Sequence, residues 1–447
     1  MKANFLHLAD VHLGYEQYGK KERADDFAAA FYHAVDYAIQ QRVDFVVVAG
    51  DLFERPNLDP MTFDQALFGL EDLRRAGIPL IDIAGNHDRA RYGQGRAWVE
   101  SLALHGFLYC LDAARPEGIG LVPWSQEECS GSYLDLKGIT PVNVPEGTSA
   151  GVMRFVGMRY VGASTARAIE TLAERLAPLQ AQNRPYTVAL LHAGLDGEVP
   201  NYRAELTYDQ LTPLRGLVDY VALGHLHKHY EREGWVYNPG SLENWNAGEA
   251  RWEHGFLHVQ VDTSAEPKHT VRLIEPPRRP FLRRALDVEP CRNPEELRDL
   301  VRRSAEEWAT AAHSRPPVLY VTLTGRLRFD RHDLDLAVLE SILVEVVRPL
   351  VVQLRDQTDE TAFQPRRFEE GSLDRDALEF EVLRQLFSND DRRVRNAPAW
   401  AHLAQALKKG ALLKESPEAL AELVQREMPP GSPLPLGEGQ GEGLQLI

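Results

Sequence analysis

Phe45-Val46-Val47-Val48-Ala49-Gly50-Asp51 is an apolar run that stops on a carboxylate. Asn4-Phe5-Leu6-His7-Leu8-Ala9-Asp10-Val11-His12 has the same form before it, and Ile81-Asp82-Ile83-Ala84-Gly85-Asn86-His87-Asp88 after it. Each reads as a short buried strand whose far end delivers a carboxylate, amide or imidazole. Between them, Phe27, Phe31, Ala34, Val35, Ala38 and Ile39 fall on one face of a helix over 22–41. A second stripe, Phe63, Ala66, Leu67, Leu70 and Leu73, marks a helix over 59–76, stopped by Gly77 and Pro79. Strand, helix, strand, helix, strand at this spacing predicts βαβ units and a parallel sheet, an α/β fold. Ligands of such sheets bind beyond the carboxyl ends of the strands, so three strands ending in metal donors imply one shared metal site.

Farther along, Ser164 to Leu176 has helical period and Pro178 is expected to close it. Pro185 to Leu191 reads as a strand ending in His192, and Val218 to Leu223 as another ending in Gly224-His225-Leu226-His227. Tyr230 to Tyr237 and Trp252 to Val261 read as an antiparallel pair joined through Asn238-Pro239-Gly240-Ser241. His-x-His on extended chain turns both rings to one side. Asp10, His12, Asp51, Asn86, His192, His225 and His227 therefore all fall at or just past strand ends. Carboxylate, amide and imidazole together suit first-row divalent ions such as manganese, iron or zinc. An Asp between two ions about 3.5–4 Å apart can bridge them for in-line attack on a phosphodiester. His7 reads as a packed core histidine and not a ligand.

The 447 residues allow two to four domains. Domain one spans 1–276. Glu275-Pro276-Pro277-Arg278-Arg279-Pro280 cannot sit in a helix or central strand and marks its end. A small α/β module follows over 281–356, with strands at Phe281 to Val288 and Pro317 to Gly325 and helices at Asn293 to Ala312 and Leu334 to Val346. Residues 357–371 read as a linker, 372–428 as three short helices, and 429–447, rich in Gly, Pro and Glu, as a disordered tail. The net charge of −16 argues against a nucleic-acid surface, unless charge is segregated by domain or offset by bound cations. No apolar run is long enough for a membrane span and no secretory signal is read, and the three cysteines, without Cys-x-x-Cys, are expected to be reduced thiols of a cytoplasmic chain. No Gly-x-x-x-x-Gly-Lys-Ser/Thr occurs, so any use of ATP must come from another chain.

Asp10-Val11-His12, Gly50-Asp51, Gly85-Asn86-His87-Asp88, His192 and Gly224-His225-Leu226-His227 resemble the five ordered motifs of the calcineurin-like metallophosphoesterases. Asp10-Val11-His12-Leu13-Gly14 with Gly50-Asp51-Leu52-Phe53 is similar to the SbcD type, the nuclease subunits of DNA double-strand-break repair complexes. The resemblance covers residues 1 to about 262. It implies a metallophosphoesterase β-sandwich flanked by helices, a capping domain at 281–356 and C-terminal helices that dock an SbcC-type coiled-coil ATPase. It also implies a manganese-dependent exonuclease and endonuclease acting on DNA ends, homodimeric through the helix carrying Phe68, cytoplasmic and nucleoid-associated. By motif, Asp10, His12, Asp51 and His227 would hold one Mn2+, and Asp51, Asn86, His192 and His225 the other, with other divalent ions open. His87 would act at the scissile phosphate as a catalytic residue, stabilising the transition state or protonating the leaving oxygen, with Asp88 fixing its ring. Where many relatives carry histidine or aspartate after Gly-Asp-Leu-Phe, this chain has Glu54, either a substitute or a solvated loop acid. Two competing functions stay open: a metallophosphatase or phosphodiesterase on small substrates, and a non-catalytic scaffold that binds DNA ends.

Overall fold

The computed structural model describes residues 1–90, 95–139, 151–182, 184–309, 315–359, 375–388 and 396–429. The chain forms two compact units, 1–281 and 282–447. In chain order the first contains β1 (Lys2–Leu8), α1 (Lys21–Gln41), β2 (Phe45–Val48), α2 (Pro60–Arg75), β3 (Leu80–Asp82), α3 (Trp98–Leu104), β4 (Tyr109–Cys110), β5 (Ala114–Arg115) and β6 (Gly118–Ile119). It continues with β7 (Tyr133–Ile139), β8 (Gly151–Met158), α4 (Thr165–Gln182), β9 (Tyr186–His192), β10 (Tyr220–Gly224), β11 (Tyr230–Arg232), β12 (Val236–Asn238), β13 (Phe256–Asp262) and β14 (His269–Ile274).

Two six-stranded sheets carry this unit, ordered β14-β13-β1-β2-β3-β4 and β11-β12-β10-β9-β8-β7. β1 to β4 run parallel, as the βαβ pattern predicts, and β8, β9, β10 and β12 are parallel in the second sheet. The period-two alternation of the strands builds the layers. Phe5, Phe45, Val47 and Ile81 meet Phe155, Val188, Leu190 and Tyr220 between the sheets. The alternate residues Leu6, Leu8, Val46 and Val48 turn to Phe31, Ala34, Ala66 and Leu70 of α1 and α2, and α4 covers the outer face of the second sheet through Ile169, Leu172 and Leu176. Both sheets are thus apolar on both faces, which explains why their strands read as unbroken runs. Asp59 caps α2 by accepting Thr62 N–H at 3.0 Å, with Pro60 in the first turn.

The structure departs from the sequence reading in two places here. α4 does not stop at Pro178 but runs on to Gln182. Gln180 anchors the extra turn, its amide donating to Thr187 Oγ1 and Leu217 O, both at 2.8 Å. Tyr230 to Tyr237 is not one strand but the β11–β12 hairpin, turned at Glu233 and Gly234 with φ of 52° and 57°. The partners of Phe256–Asp262 are β1 and β14, in the other sheet, paired antiparallel as Phe5 with Val259 and Val259 with Val271. His7 is fully buried, its ring paired with Tyr220 OH at 3.0 Å and Leu223 O at 3.1 Å. Burial pushes its pKa down to about 3, so it stays neutral and packs as a core residue.

The second unit opens with β15 (Phe281–Asp287), α5 (Pro294–Ala309), β16 (Val318–Thr324), α6 (Leu336–Val347) and β17 (Val351–Asp356), a three-stranded sheet ordered β15-β16-β17. Val288, Leu297, Val301, Leu319, Val321, Leu339 and Leu343 form its core. Three helices follow, α7 (Arg375–Ser388), α8 (Ala397–Leu412) and α9 (Pro417–Glu427), the last capped by Ser416 and burying none of its side chains. Most of the expected linker (360–371) and of the expected disordered tail (430–447) lies outside the described residues. Among the described residues, no helix is long and apolar enough to cross a membrane.

Candidate metal centre

The seven candidate ligands stand at or just past the carboxyl ends of β1, β2, β3, β9 and β10, His192 as the last residue of β9 and the others on the following loops, and the two sheets bring those ends together. Asp10, His12, Asp51 and His225 have φ of 51°, 51°, 55° and 83°, the left-handed region that side chains avoid. Such strain persists where surrounding contacts over-determine it, as at functional loops. Backbone pairing supplies those contacts: Val11 and His12 N–H both donate to Asp51 O, at 2.9 and 3.1 Å. Gly85 is required by close approach, since a Cβ there would lie 2.1 Å from Asp51 Oδ1.

Ligand atoms of Asp10, His12 and His227 lie within 4.8 Å of one another, as do those of Asp10, Asp51 and His192. Asn86 Oδ1 joins the second group, 3.0 Å from His192 Nε2 and 3.0 Å from His225 Nδ1. Thus all seven sequence-derived positions converge. The far nitrogen of each ring sets its tautomer. His192 Nδ1 donates to Ala49 O at 2.7 Å, so in the neutral ring Nε2 carries a lone pair. That lone pair faces two acceptors, Asn86 Oδ1 and Asp51 Oδ2, the latter at 3.1 Å. His227 repeats the pattern: Nδ1 pairs with Glu249 Oε1 at 3.1 Å, and Nε2 faces His12 Nε2 at 3.1 Å. Lone pairs aimed at lone pairs require a cation between them, a proton or a metal ion. This donor set therefore fits divalent ions.

Electrostatics of the side chains alone give the same result. Burial disfavours the charged His192 ring, yet Asp51 beside it outweighs this and lifts its pKa to about 10. His227 rises to about 9 against its burial because of Glu249. Asp51 is buried too, but His192, His12 and His87 hold its carboxyl well below the usual range.

His87 sits at the rim, its side chain 30% exposed, with its backbone N–H donating to Asp51 Oδ1 at 2.8 Å. Its Nδ1 donates to the backbone carbonyl of Glu54 at 2.7 Å. Asp88, the expected partner of that ring, is engaged otherwise. Its carboxylate accepts from the backbone N–H of Phe53 and Gly85, each at 3.0 Å, and ties the second and third loops together. Burial and the nearby Asp51 raise Asp88 to about 6. Glu54 is no solvated loop acid: its side chain is 13% exposed, 2.9 Å from His12 Nδ1, and accepts from Trp245 Nε1 at 3.1 Å.

The sequence reading missed Glu249, Glu205 and Tyr160. Glu205 Oε1 lies 3.0 Å from His225 Nε2, and that histidine, outweighing the cost of burial, draws the carboxyl down to about 2. Tyr160 stacks edge-on to His192, ring centroids 6.0 Å apart. Nothing local signals them, since Tyr160 and Glu205 come from irregular segments and Glu249 from a single 3-10 turn, none long enough to show periodicity.

A family description, "Calcineurin-like phosphoesterase", matches residues 3–229 and so spans all seven positions. The chain belongs to the calcineurin-like phosphoesterase family. Membership implies divalent metal ions at this centre. Among curated relatives of this phosphoesterase, the DNA double-strand break repair protein Mre11 of Archaeoglobus fulgidus is 31% identical over 250 residues, 55% of this chain and 51% of the relative. The protein of that name from Sulfurisphaera tokodaii is 29% identical over 226 residues, 51% of this chain and 49% of the relative. That of Aeropyrum pernix is 45% identical over 83 residues, 19% of this chain and 20% of the relative. The chain thus spans about half the length, or less, of these relatives.

Proposed function

We propose that the protein is a manganese-dependent DNA nuclease that processes ends in double-strand-break repair together with an SbcC-type ATPase. The observation that carries the reading is the convergence of unshared lone pairs from His12, His192 and His227 on Asp51, Asn86 and each other. In this reading Asp10, His12, Asp51 and His227 hold one Mn2+, and Asp51, Asn86, His192 and His225 the second. Ions held there would supply charge to neutralise a phosphodiester and would lower the pKa of an attacking water. Glu249, Glu205 and the Ala49 carbonyl fix three imidazoles in the tautomer that binds a cation. His87 serves at the scissile phosphate, either protonating the leaving oxygen or stabilising the transition state, its ring oriented by the Glu54 carbonyl. Met61 and Phe68, seven residues apart on α2 and 66% and 64% exposed, support a homodimer through that helix. Leu412 and Leu413, 73% and 69% exposed, support docking of the C-terminal helices onto the ATPase.

End-labelled duplex DNA, incubated with Mn2+, with Mg2+ and with chelator, in the presence and absence of the ATPase, tests the reading. Cleavage in Mn2+ that chelation removes is expected. A protein that turns over a small phosphodiester but leaves DNA intact would be a small-substrate enzyme, and one that binds ends without cleaving would be a scaffold. The chain-specific part is Glu54. Glu54→Gln is expected to weaken Mn2+ binding about 10–100-fold by calorimetric titration, the loss typical of a ligand's supporting partner. Unchanged affinity would remove Glu54 from the support of His12.

A further inference from the structure

We infer that an arginine-lined cleft beside Tyr160, within residues 1–281, seats one extended strand of DNA where it continues past the metal centre. The cleft has a volume of about 860 Å3 and draws together Arg89, Arg115, Arg159, Arg167 and Arg175, against Glu100 and Glu117 as the acidic residues among those described. That is a concentration of positive charge in a chain of net charge −16. Among the described residues, Arg159 alone of the five has an ion pair, with Asp112 at 3.4 Å. Arg115 Nε is buried and has no hydrogen-bond partner among the described residues, a state that is costly to leave unsatisfied and that an anion would relieve.

The layout selects the class of anion. Arg167 and Arg175 lie eight residues apart on one face of α4, about 12 Å along its axis. One phosphate cannot reach both, whereas successive phosphates of a strand can. The volume has the scale of a ligand pocket, which suits a single strand. At the inner end Tyr160 offers a ring, covered by the Arg89 guanidinium at 5.3 Å and set 5.3 Å from the His225 ring. A charged groove with an aromatic platform is how single strands are held without sequence preference.

This inference rests on the nuclease reading for its direction but is tested apart from it. Binding of a fluorescent single-stranded oligonucleotide to the full chain is measured by anisotropy in chelator, across a salt series, for the wild type and for Arg167→Glu/Arg175→Glu. Arg74→Glu/Arg75→Glu on α2 makes the same change of charge outside the cleft, and melting temperatures establish that all three are folded. The cleft variant is expected to bind roughly tenfold or more weakly, with the slope of log K against log salt smaller by about 1.4, two phosphate contacts on a single strand. The α2 variant is expected to keep the wild-type slope. Equal slopes for cleft variant and wild type, equal losses in the two variants, or no binding by the wild type would each overturn the inference. Failure of the nuclease reading shows separately, as wild-type protein that cleaves no DNA in Mn2+.

Discussion

Asp51→Asn is expected to leave a folded protein whose metal-dependent hydrolysis has fallen by at least about a thousandfold, roughly 4 kcal/mol of transition-state stabilisation. Asn is the informative replacement because Asp51 has φ 55°, and Asn is among the few residues that accept that conformation. Ala would add backbone strain to the loss of the carboxylate. The amide retains an oxygen for the His87 N–H, which the carboxylate now accepts at 2.8 Å. What disappears is the negative charge facing His192 Nε2 at 3.1 Å. Two cations close together repel each other, and a bridging neutral amide cannot offset that repulsion, so at least one ion should be lost. Calorimetric titration with Mn2+ should therefore register fewer or much weaker sites, and hydrolysis should fall with them. Activity within tenfold of wild type in a folded Asp51→Asn protein would mean that the carboxylate does not bridge.

The candidate ligands were legible because strand periodicity and ligand identity coincide in the sequence. An apolar run such as Phe45 to Ala49 predicts a buried strand, and the residue that ends it is placed at the sheet's carboxyl edge without further information. The groups that support the ligands carry no such mark. Glu249 follows a loop 22 residues after His227, and only the closed fold brings its carboxylate to 3.1 Å from that ring. Glu54 had two open readings because its burial depends on Trp245, 191 residues away. Pairing failed for a similar reason. One partner of β13 is β1, some 250 residues earlier, while the β11–β12 hairpin closes through Glu233, Gly234 and Trp235 inside what reads as a single strand. Asp88 illustrates a subtler limit: adjacency to His87 suggested a hydrogen bond between the side chains, but in a tight turn successive side chains diverge, and Asp88 points back to Phe53 and Gly85.

His87→Ala should separate chemistry from metal binding. The proposed ligands do not include its ring, and alanine keeps the backbone N–H that Asp51 accepts. Mn2+ affinity is therefore expected to stay within a few-fold of wild type, while turnover of DNA falls about 10²–10⁴-fold, the range for a lost general acid. The leaving group discriminates between the roles open to the ring. His87 Nδ1 is engaged by the Glu54 carbonyl, which leaves Nε2 to meet substrate. If Nε2 delivers a proton to the departing sugar oxygen, a diester with a p-nitrophenolate leaving group, which departs without protonation, should lose far less than DNA does. If the ring acts instead by charge on the phosphate oxygens, both substrates should lose the same factor. A variant that loses Mn2+ affinity in parallel with turnover would contradict both roles and would make His87 part of the metal site itself, consistent with its ring centroid lying 4.9 Å from that of His12.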